Sequence, residues 1–160
     1  FSANLEMRGT LGSVLGYPRA WVRFSTGPTG TSLAVHVGIT NAFRFKNSFT
    51  LDGAYNSDGR FAFSGSVSIG PWYVEKDIWI CTAWAGAWGS GTVQLAGTGG
   101  TLQSFGLWAD AWAGAGCGRI SLGVGASVAF WYEAPSTVHG WVRVNLKFGL
   151  IRWSPTVFSI

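Results

Sequence analysis

The chain has 160 residues, of which only 11% are charged and 16% are aromatic, with 24 glycines, ten tryptophans and a formal net charge of +4. This balance excludes global disorder, which needs high charge and few aromatics, and the scattered basic residues argue against nucleic-acid binding. So few charges leave much of the exterior apolar, which indicates a partner, a membrane or a neighbour in a polymer.

Residues 1–16 are either an extended arm or the first strand of a sheet. Their apolar side chains are widely spaced among Ser, Asn, Gly and Thr, and Leu5, Met7 and Leu11 share one parity. In an extended segment these three would lie on one face. We therefore predict a candidate strand donated to a neighbouring subunit, with these interface residues: Phe1, Leu5, Met7, Leu11 and Val14. A plain first strand within its own sheet is the competing interpretation.

Residues 17–160 are predicted as a single β-sandwich domain. Apolar residues alternate with small or polar ones in most segments, most clearly over 120–132 and again over 35–39, 61–69 and 142–148. This period of two indicates half-buried strands, and Gly- or Pro-containing turn signals separate them. No segment has a sustained helical period. We predict eight to ten strands in an all-β, antiparallel two-sheet sandwich of the jelly-roll kind.

Two tryptophan motifs repeat 24 residues apart. Trp84-Ala-Gly-Ala-Trp88 is echoed by Trp108-Ala-Asp-Ala-Trp112, and a glycine-rich segment, 97–100, lies between them. The symmetry predicts a hairpin that pairs the two motifs. Cys81 and Cys117 lie equally far from residue 99, so the hairpin would bring them opposite each other. We predict a disulfide between them, as expected for an exported protein, against the alternative of two buried thiols.

The four tryptophans of these motifs are candidate binding residues. Buried core is one interpretation, since large aromatics supply core area. A sugar platform is the second, because flat rings stack on sugar faces, and a subunit interface is the third. The residues concerned are Trp84, Trp88, Trp108 and Trp112.

Catalytic and metal signals are weak. His36 and His139 are interpreted as structural or surface residues, and no nucleophile motif accompanies them. Asp110 with Glu133 is the one aromatic-flanked carboxylate pair, as a glycosidase would need. Residues 52–59 carry oxygen ligands, but a plain Asx-type turn is favoured over a calcium loop. We predict no enzymatic activity, no cofactor and no metal.

The function we predict is a secreted structural subunit that self-assembles into an extracellular filament, pilus-like, or into a surface layer. The composition and strand pattern resemble those of secreted, Gly- and aromatic-rich β-sandwich subunits of extracellular filaments, some of which exchange strands. Such a resemblance implies copies of itself as partners, and glycans are a further candidate partner. The first alternative is a lectin-like carbohydrate-binding module.

A small outer-membrane β-barrel is the second alternative, since strands of about ten residues with aromatic and small residues fit it. Basic residues such as Arg23, Arg143 and Lys147 alternate with bulky apolar ones and could face only a lumen there. The predicted disulfide and an ending on Phe158-Ser159-Ile160 rather than on an aromatic residue argue against it. The sequence therefore favours a cell-surface or extracellular protein that does not contact a membrane.

Overall fold

The computed structural model describes residues 1–9, 16–41 and 47–160, which form eleven β-strands. Leu11 and Val14 of the predicted interface lie outside these residues. The strands are β1 (Ser2–Arg8), β2 (Tyr17–Gly27), β3 (Gly30–Thr40), β4 (Asn47–Asn56), β5 (Arg60–Ile78), β6 (Cys81–Thr98), β7 (Thr101–Cys117), β8 (Ile120–Glu133), β9 (Thr137–Phe148), β10 (Ile151–Trp153) and β11 (Thr156–Ser159).

All eleven strands belong to one antiparallel sheet. Its order follows the chain from β1 to β10, and β11 pairs with β9 beyond the end of β10. The all-β prediction is confirmed, but the structure shows one open sheet where a two-sheet sandwich was predicted. The alternation of apolar and polar residues is the same in both arrangements, because it specifies which face of a strand is apolar and not what covers that face.

Where the structure describes the connections between successive strands, they are short. At the end of β6, Gly99 and Gly100 have φ angles of 60° and 79°, a conformation that side chains disfavour and that two-residue hairpin turns require. This turn lies inside the predicted 97–100 segment, so the predicted hairpin is confirmed, although the two tryptophan motifs overlap in its register only where Trp88 pairs with Trp112.

The two faces of the sheet differ sharply. Directly paired residues lie on the same face, so the register connects Trp21, His36 and Asp52 in one row across β2, β3 and β4. We call this side the polar face, and the side that carries Val35, Leu51, Val67 and Val128 the apolar face. Among the described strand residues, every charged side chain except that of Lys76 belongs to the polar face by this register. The charged residues of the polar face are Glu6, Arg8, Arg19, Arg23, Asp52, Arg60, Glu75, Asp77, Asp110, Glu133, Arg143, Lys147 and Arg152.

The sheet has almost no interior. Ala129 is the one hydrophobic residue that is fully buried among those described. The accessible surface is 10982 Å², whereas a globular protein of this mass has about 7,700 Å². The apolar face is therefore uncovered, and it supplies most of the exposed large hydrophobic side chains. No helix long and apolar enough to span a membrane occurs in the described part of the chain.

Candidate functional site

The tryptophans of the two repeated motifs meet on the polar face. Trp88 pairs directly with Trp112, and Trp84 stacks on Trp112 with ring centroids 6.2 Å apart. Tyr73 of β5 stacks on the other side of Trp84, also at 6.2 Å. Three aromatic rings thus form a continuous ladder from β5 to β7, with Trp108 farther along β7.

Glycines on neighbouring strands make room for these rings. A Cβ atom at Gly116 would lie 2.7 Å from Nε1 of Trp84, and one at Gly123 would lie 2.8 Å from Trp112. Both distances are shorter than carbon contacts allow, so each ring occupies the space that a side chain would fill. The alternating glycines of β7 and β8 are therefore the sequence signal for flat rings on this face.

The disulfide between Cys81 and Cys117 is present, with Cα atoms 5.6 Å apart, and this prediction is confirmed. The pairing is offset from the predicted symmetry, because Cys117 lies opposite Ala83 rather than opposite Cys81. The register moves by two residues, because the turn is centred between Gly99 and Gly100 rather than on residue 99 and an irregularity next to Ala96 adds one residue to β7. The bond closes the end of the β6–β7 hairpin that lies away from the Gly99-Gly100 turn.

A trough crosses the polar face near the end of the sheet that carries this turn. It has a volume of about 890 Å³, and residues from seven successive strands, β2 to β8, line it. A single cavity can extend over that many strands only where the sheet curves, so the polar face is concave here. The side chains of the polar face that line it are Trp21, Ala34, Asp52, Ala54, Ala62, Ser64, Gln94, Ala96, Ser104, Trp108, Trp131 and Glu133.

Hydrogen bonds order the polar side chains on this face. Nδ1 of His36 and Oδ1 of Asp52 are 2.6 Å apart, and the His36 ring stacks on Trp21 at 5.6 Å. Arg23 covers the Trp21 ring as well, at 5.2 Å. Sequence reasoning placed His36 in an apolar strand and missed Asp52 as its partner, since only the β3–β4 register brings the two together.

The structure does not assemble the catalytic pair that the sequence singled out. Asp110 pairs with Ser127, six residues along β8 from Glu133. Six strand residues correspond to about 20 Å, far more than the distance between two glycosidase carboxylates. Asp58, in the candidate calcium loop, binds Arg60 instead, at 2.6 Å. Within the described ranges, no group of three or more His, Cys, Asp or Glu side chains is placed to hold a metal.

A groove of about 920 Å³ lies on the apolar face. Alanines of β6 and β7 form its floor, and bulky side chains of β5 and of β9 and β10 form its walls. The floor consists of Ala85, Ala87, Ala113 and Ala115, and the walls include Trp72, Val74, Phe148, Ile151 and Trp153. Every one of these side chains is apolar.

The N-terminal segment pairs with its own sheet. All seven residues of β1 pair with β2, and the exposed side chains of Leu5 and Met7 lie on the apolar face. Phe1 precedes the strand and is 84% exposed. On the polar face, Arg8 and Arg19 each donate a hydrogen bond of 2.8 Å to Glu6, which lowers the pKa of that carboxyl. Exchange of β1 between subunits stays a prediction.

Comparison with known proteins adds nothing to this geometry, because no family model, no curated protein and no solved structure matches the chain.

Proposed function

We propose that the chain forms a membrane-spanning β-sheet, with its apolar face against lipid and its polar face against water. The observation that carries this proposal is the segregation of charge between the two faces. Among the described strand residues, Lys76 is the only charged one on the apolar face, and it lies near the end of β5. Alternation of lipid-facing apolar and water-facing polar residues is the pattern of transmembrane strands.

The distribution of aromatic residues on the apolar face supports the same proposal. Most of them lie in two groups toward opposite ends of the strands, and Phe49 and Phe158 lie between the groups, in the register row of Val67. On β5, Phe63 and Trp72 are about 27 Å apart along the strand. Transmembrane strands carry an apolar band of about 25 Å between two aromatic girdles. One group contains Phe24, Tyr55, Phe61, Phe63, Phe105, Phe130 and Tyr132, and the other contains Trp72, Phe148 and Trp153.

The backbone also suits hydrocarbon, because each of the strands β2 to β9 pairs on both sides. The outer sides of β1 and of β10 and β11 have no strand partner within the described residues. In lipid these edges need partners. Nine strand reversals separate β1 from β10, so the two run in opposite directions. We propose that the β1 edge of one copy pairs antiparallel with the β10–β11 edge of the next, which makes copies of the chain its partners.

The filament subunit predicted from composition is the competing function, and it uses the same exposed surface. There, the apolar face of one copy would pack on that of another, as the two layers of a sandwich do. Such packing gives no reason for aromatic residues to concentrate toward the two ends of the strands, as most of those on the apolar face do. This concentration therefore favours lipid over a second sheet.

Neighbouring residues on β5 provide the test. Val67 lies on the apolar face and Ser68 on the polar face, near the middle of the strand. Each is replaced by Cys (V67C, S68C), labelled with an environment-sensitive fluorophore, and the full chain is reconstituted into phosphatidylcholine vesicles. We expect lipids brominated on the acyl chain to quench the label at 67 and not the label at 68, and aqueous iodide to do the reverse.

Two results would count against the proposal. Equal quenching of both labels by iodide would show that neither face contacts lipid. A label at 67 that neither quencher reaches would show that another protein layer covers the apolar face, as in the filament.

A further inference from the structure

We infer that the trough on the polar face binds an extended, uncharged oligosaccharide. This goes beyond the proposed contact with lipid and does not depend on it, because the trough lies on the opposite face of the sheet.

The shape of the trough selects a long ligand. Its lining residues come from seven adjacent strands, whose six spacings amount to about 29 Å when they are followed along the curved surface of the sheet. Small side chains occupy one row along it, in which Ala34, Ala54, Ala62 and Ala96 pair in succession. A compact molecule would contact only a few of these strands, whereas a linear chain of sugar rings can lie along the whole row.

One end of the trough carries two tryptophan rings. Trp108 on β7 and Trp131 on β8 are diagonal neighbours, since Trp108 pairs with Ala129 and Trp131 with Gly106. A Cβ atom at Gly106 would overlap the outer edge of the Trp108 ring, so this ring extends over the backbone at Gly106. Trp108 is 38% exposed, and the Trp131 ring contacts the ring of His139, with centroids 5.3 Å apart. The exposed part of the Trp108 ring, with Trp131 on the next strand, offers an apolar surface on which the C–H face of a sugar can stack.

Hydrogen-bonding groups continue from the tryptophans toward β2. Gln94 pairs with Ser64, and Ser64 with Asp52, in the row next to the alanines. These amide, hydroxyl and carboxylate groups suit the hydroxyls of a sugar, which both donate and accept. At the far end, Trp21 is held between Arg23 and His36 and forms a wall rather than a platform.

The charges of the lining argue against anionic ligands. Asp52 and Glu133 are its charged residues among those described, so no basic side chain of the lining would hold a phosphate or carboxylate. A small organic cation would need several aromatic faces around one point. Trp21 and Trp131 lie on β2 and β8 instead, six strand positions apart along the curved sheet. An uncharged, elongated polyhydroxyl ligand fits both observations.

The test is calorimetric titration of the intact chain with maltohexaose and cellohexaose, and with maltose, hexagalacturonate and tetramethylammonium for comparison. We expect at least one neutral hexaose to bind, at least tenfold more tightly than maltose, because only the longer chain spans the trough. W108A and W131A should each weaken binding of that hexaose at least tenfold. The matched control W88A should leave binding unchanged, since Trp88 lies on the same face outside the trough.

W131F separates loss of stacking from loss of folding, because a phenyl ring keeps part of the platform. Its affinity should lie between those of the intact chain and W131A, with the same circular dichroism spectrum. The inference is overturned if neither hexaose binds at millimolar concentration, if W88A weakens binding as much as W108A and W131A do, or if hexagalacturonate or tetramethylammonium binds the trough more tightly than both neutral hexaoses. Each result leaves lipid contact of the apolar face unaffected, so the two proposals fail separately.

Discussion

Tryptophan rings on the polar face lie where the adjacent strands carry glycine. Trp112 is the clearest case, since a Cβ atom at Gly123 would meet three atoms of its ring at 2.8 to 3.0 Å. Replacing glycine by alanine in a strand is ordinarily favourable, by about 0.4–1 kcal/mol, because it restricts the unfolded chain. Here the overlap with the ring opposes that gain, and overpacking of a fixed side chain costs about 1–3 kcal/mol.

We therefore expect G123A to destabilise the protein by about 1–2 kcal/mol, the difference between these two effects. The Trp112 ring has to move away from Gly123, which also disturbs its stacking on Trp84. Thermal unfolding monitored by aromatic circular dichroism measures both effects. The destabilisation gives a lower midpoint, and the disturbed stacking gives a weaker signal from the Trp84–Trp112 ring pair. G89A is the matched control, because its nearest contact is an ordinary 3.6 Å. A G123A protein as stable as G89A would contradict the prediction.

At the level of single residues, the sequence predicted the face of the sheet on which a side chain lies better than it predicted which other side chain it contacts. Parity alone placed Arg143 and Lys147 opposite Val142 and Val144, and the register agrees. The hydrogen bond between His36 and Asp52 was out of reach, because it depends on how β3 aligns with β4. A shift of that alignment by one residue would move Asp52 to the other face.

Among the elements, the edge strand β1 depends on few interactions. Within the described part of the chain it pairs with β2 alone, and Glu6 joins it to that strand by accepting a hydrogen bond from Arg19. The hydrogen bonds from Arg8 and Arg19 lower the pKa of Glu6 below its ordinary value of 4.5. A carboxyl whose pKa is lower in the folded state stabilises that state above its ordinary pKa, and this contribution disappears as the pH falls through the lowered pKa.

We expect β1 to separate from β2 more readily in acid than at neutral pH. Amide hydrogen exchange over residues 2–8, corrected for the intrinsic effect of pH, should show protection that is constant above pH 4.5 and falls below it. E6Q should remove this dependence, since its amide does not titrate in that range, while the exchange of β7 stays unchanged. The same acid response in E6Q would show that Glu6 is not its source.

The β6–β7 hairpin is the element that the sequence predicted most fully. The tryptophan echo, the glycines of the turn and the spacing of Cys81 and Cys117 all pointed to it, and the structure contains each feature. The register of the hairpin escaped prediction, because the turn is centred between Gly99 and Gly100 and no residue marks the extra position next to Ala96. The symmetry of residues about the turn could be found in the sequence because a two-residue turn joins β6 and β7, so that paired residues lie at nearly equal distances from it along the chain.

Reduction of the disulfide is expected to lower the melting temperature without unfolding the sheet. The bond closes a loop of 36 residues, which the chain-entropy model associates with about 3–4 kcal/mol. The hairpin keeps its backbone pairing with β5 and β8 when the bond is absent. The loss of stability is measured by thermal unfolding of three samples: the intact protein, the intact protein with reductant, and the C81S/C117S variant. Melting of the intact protein that reductant does not change would contradict the expected contribution.

For the whole molecule, the sequence predicted strands and an uncovered apolar surface but not the number of layers. Low charge and alternation predicted that each strand has an apolar side, as the apolar face confirms. Whether two sheets cover each other depends on long-range packing, and no local residue pattern distinguishes a sandwich from a single sheet. The concave trough was missed for the same reason, since Trp21 and Trp131 are far apart in sequence and meet its lining only through curvature.

The two free edges lead to the last prediction, which concerns assembly. In lipid or detergent, the unpaired backbone groups of β1 and of β10 and β11 need partners. If copies supply them through β1 and the opposite edge, the contact is heterologous and continues from copy to copy until a ring closes. We therefore expect the detergent-solubilised protein to contain several copies in one complex, as measured by light scattering corrected for bound detergent.

Deletion of residues 1–8 provides the matching variant. It removes β1 but leaves strands β2 to β11 with all their own pairings, so we expect a folded sheet that no longer assembles. The free peptide of residues 1–8 should bind this truncated chain at the exposed edge of β2 and restore the complex. A monomeric intact protein in detergent, or complexes of unchanged size after the deletion, would show that copies do not join through β1. In either case the labels at positions 67 and 68 still report separately whether the apolar face contacts lipid.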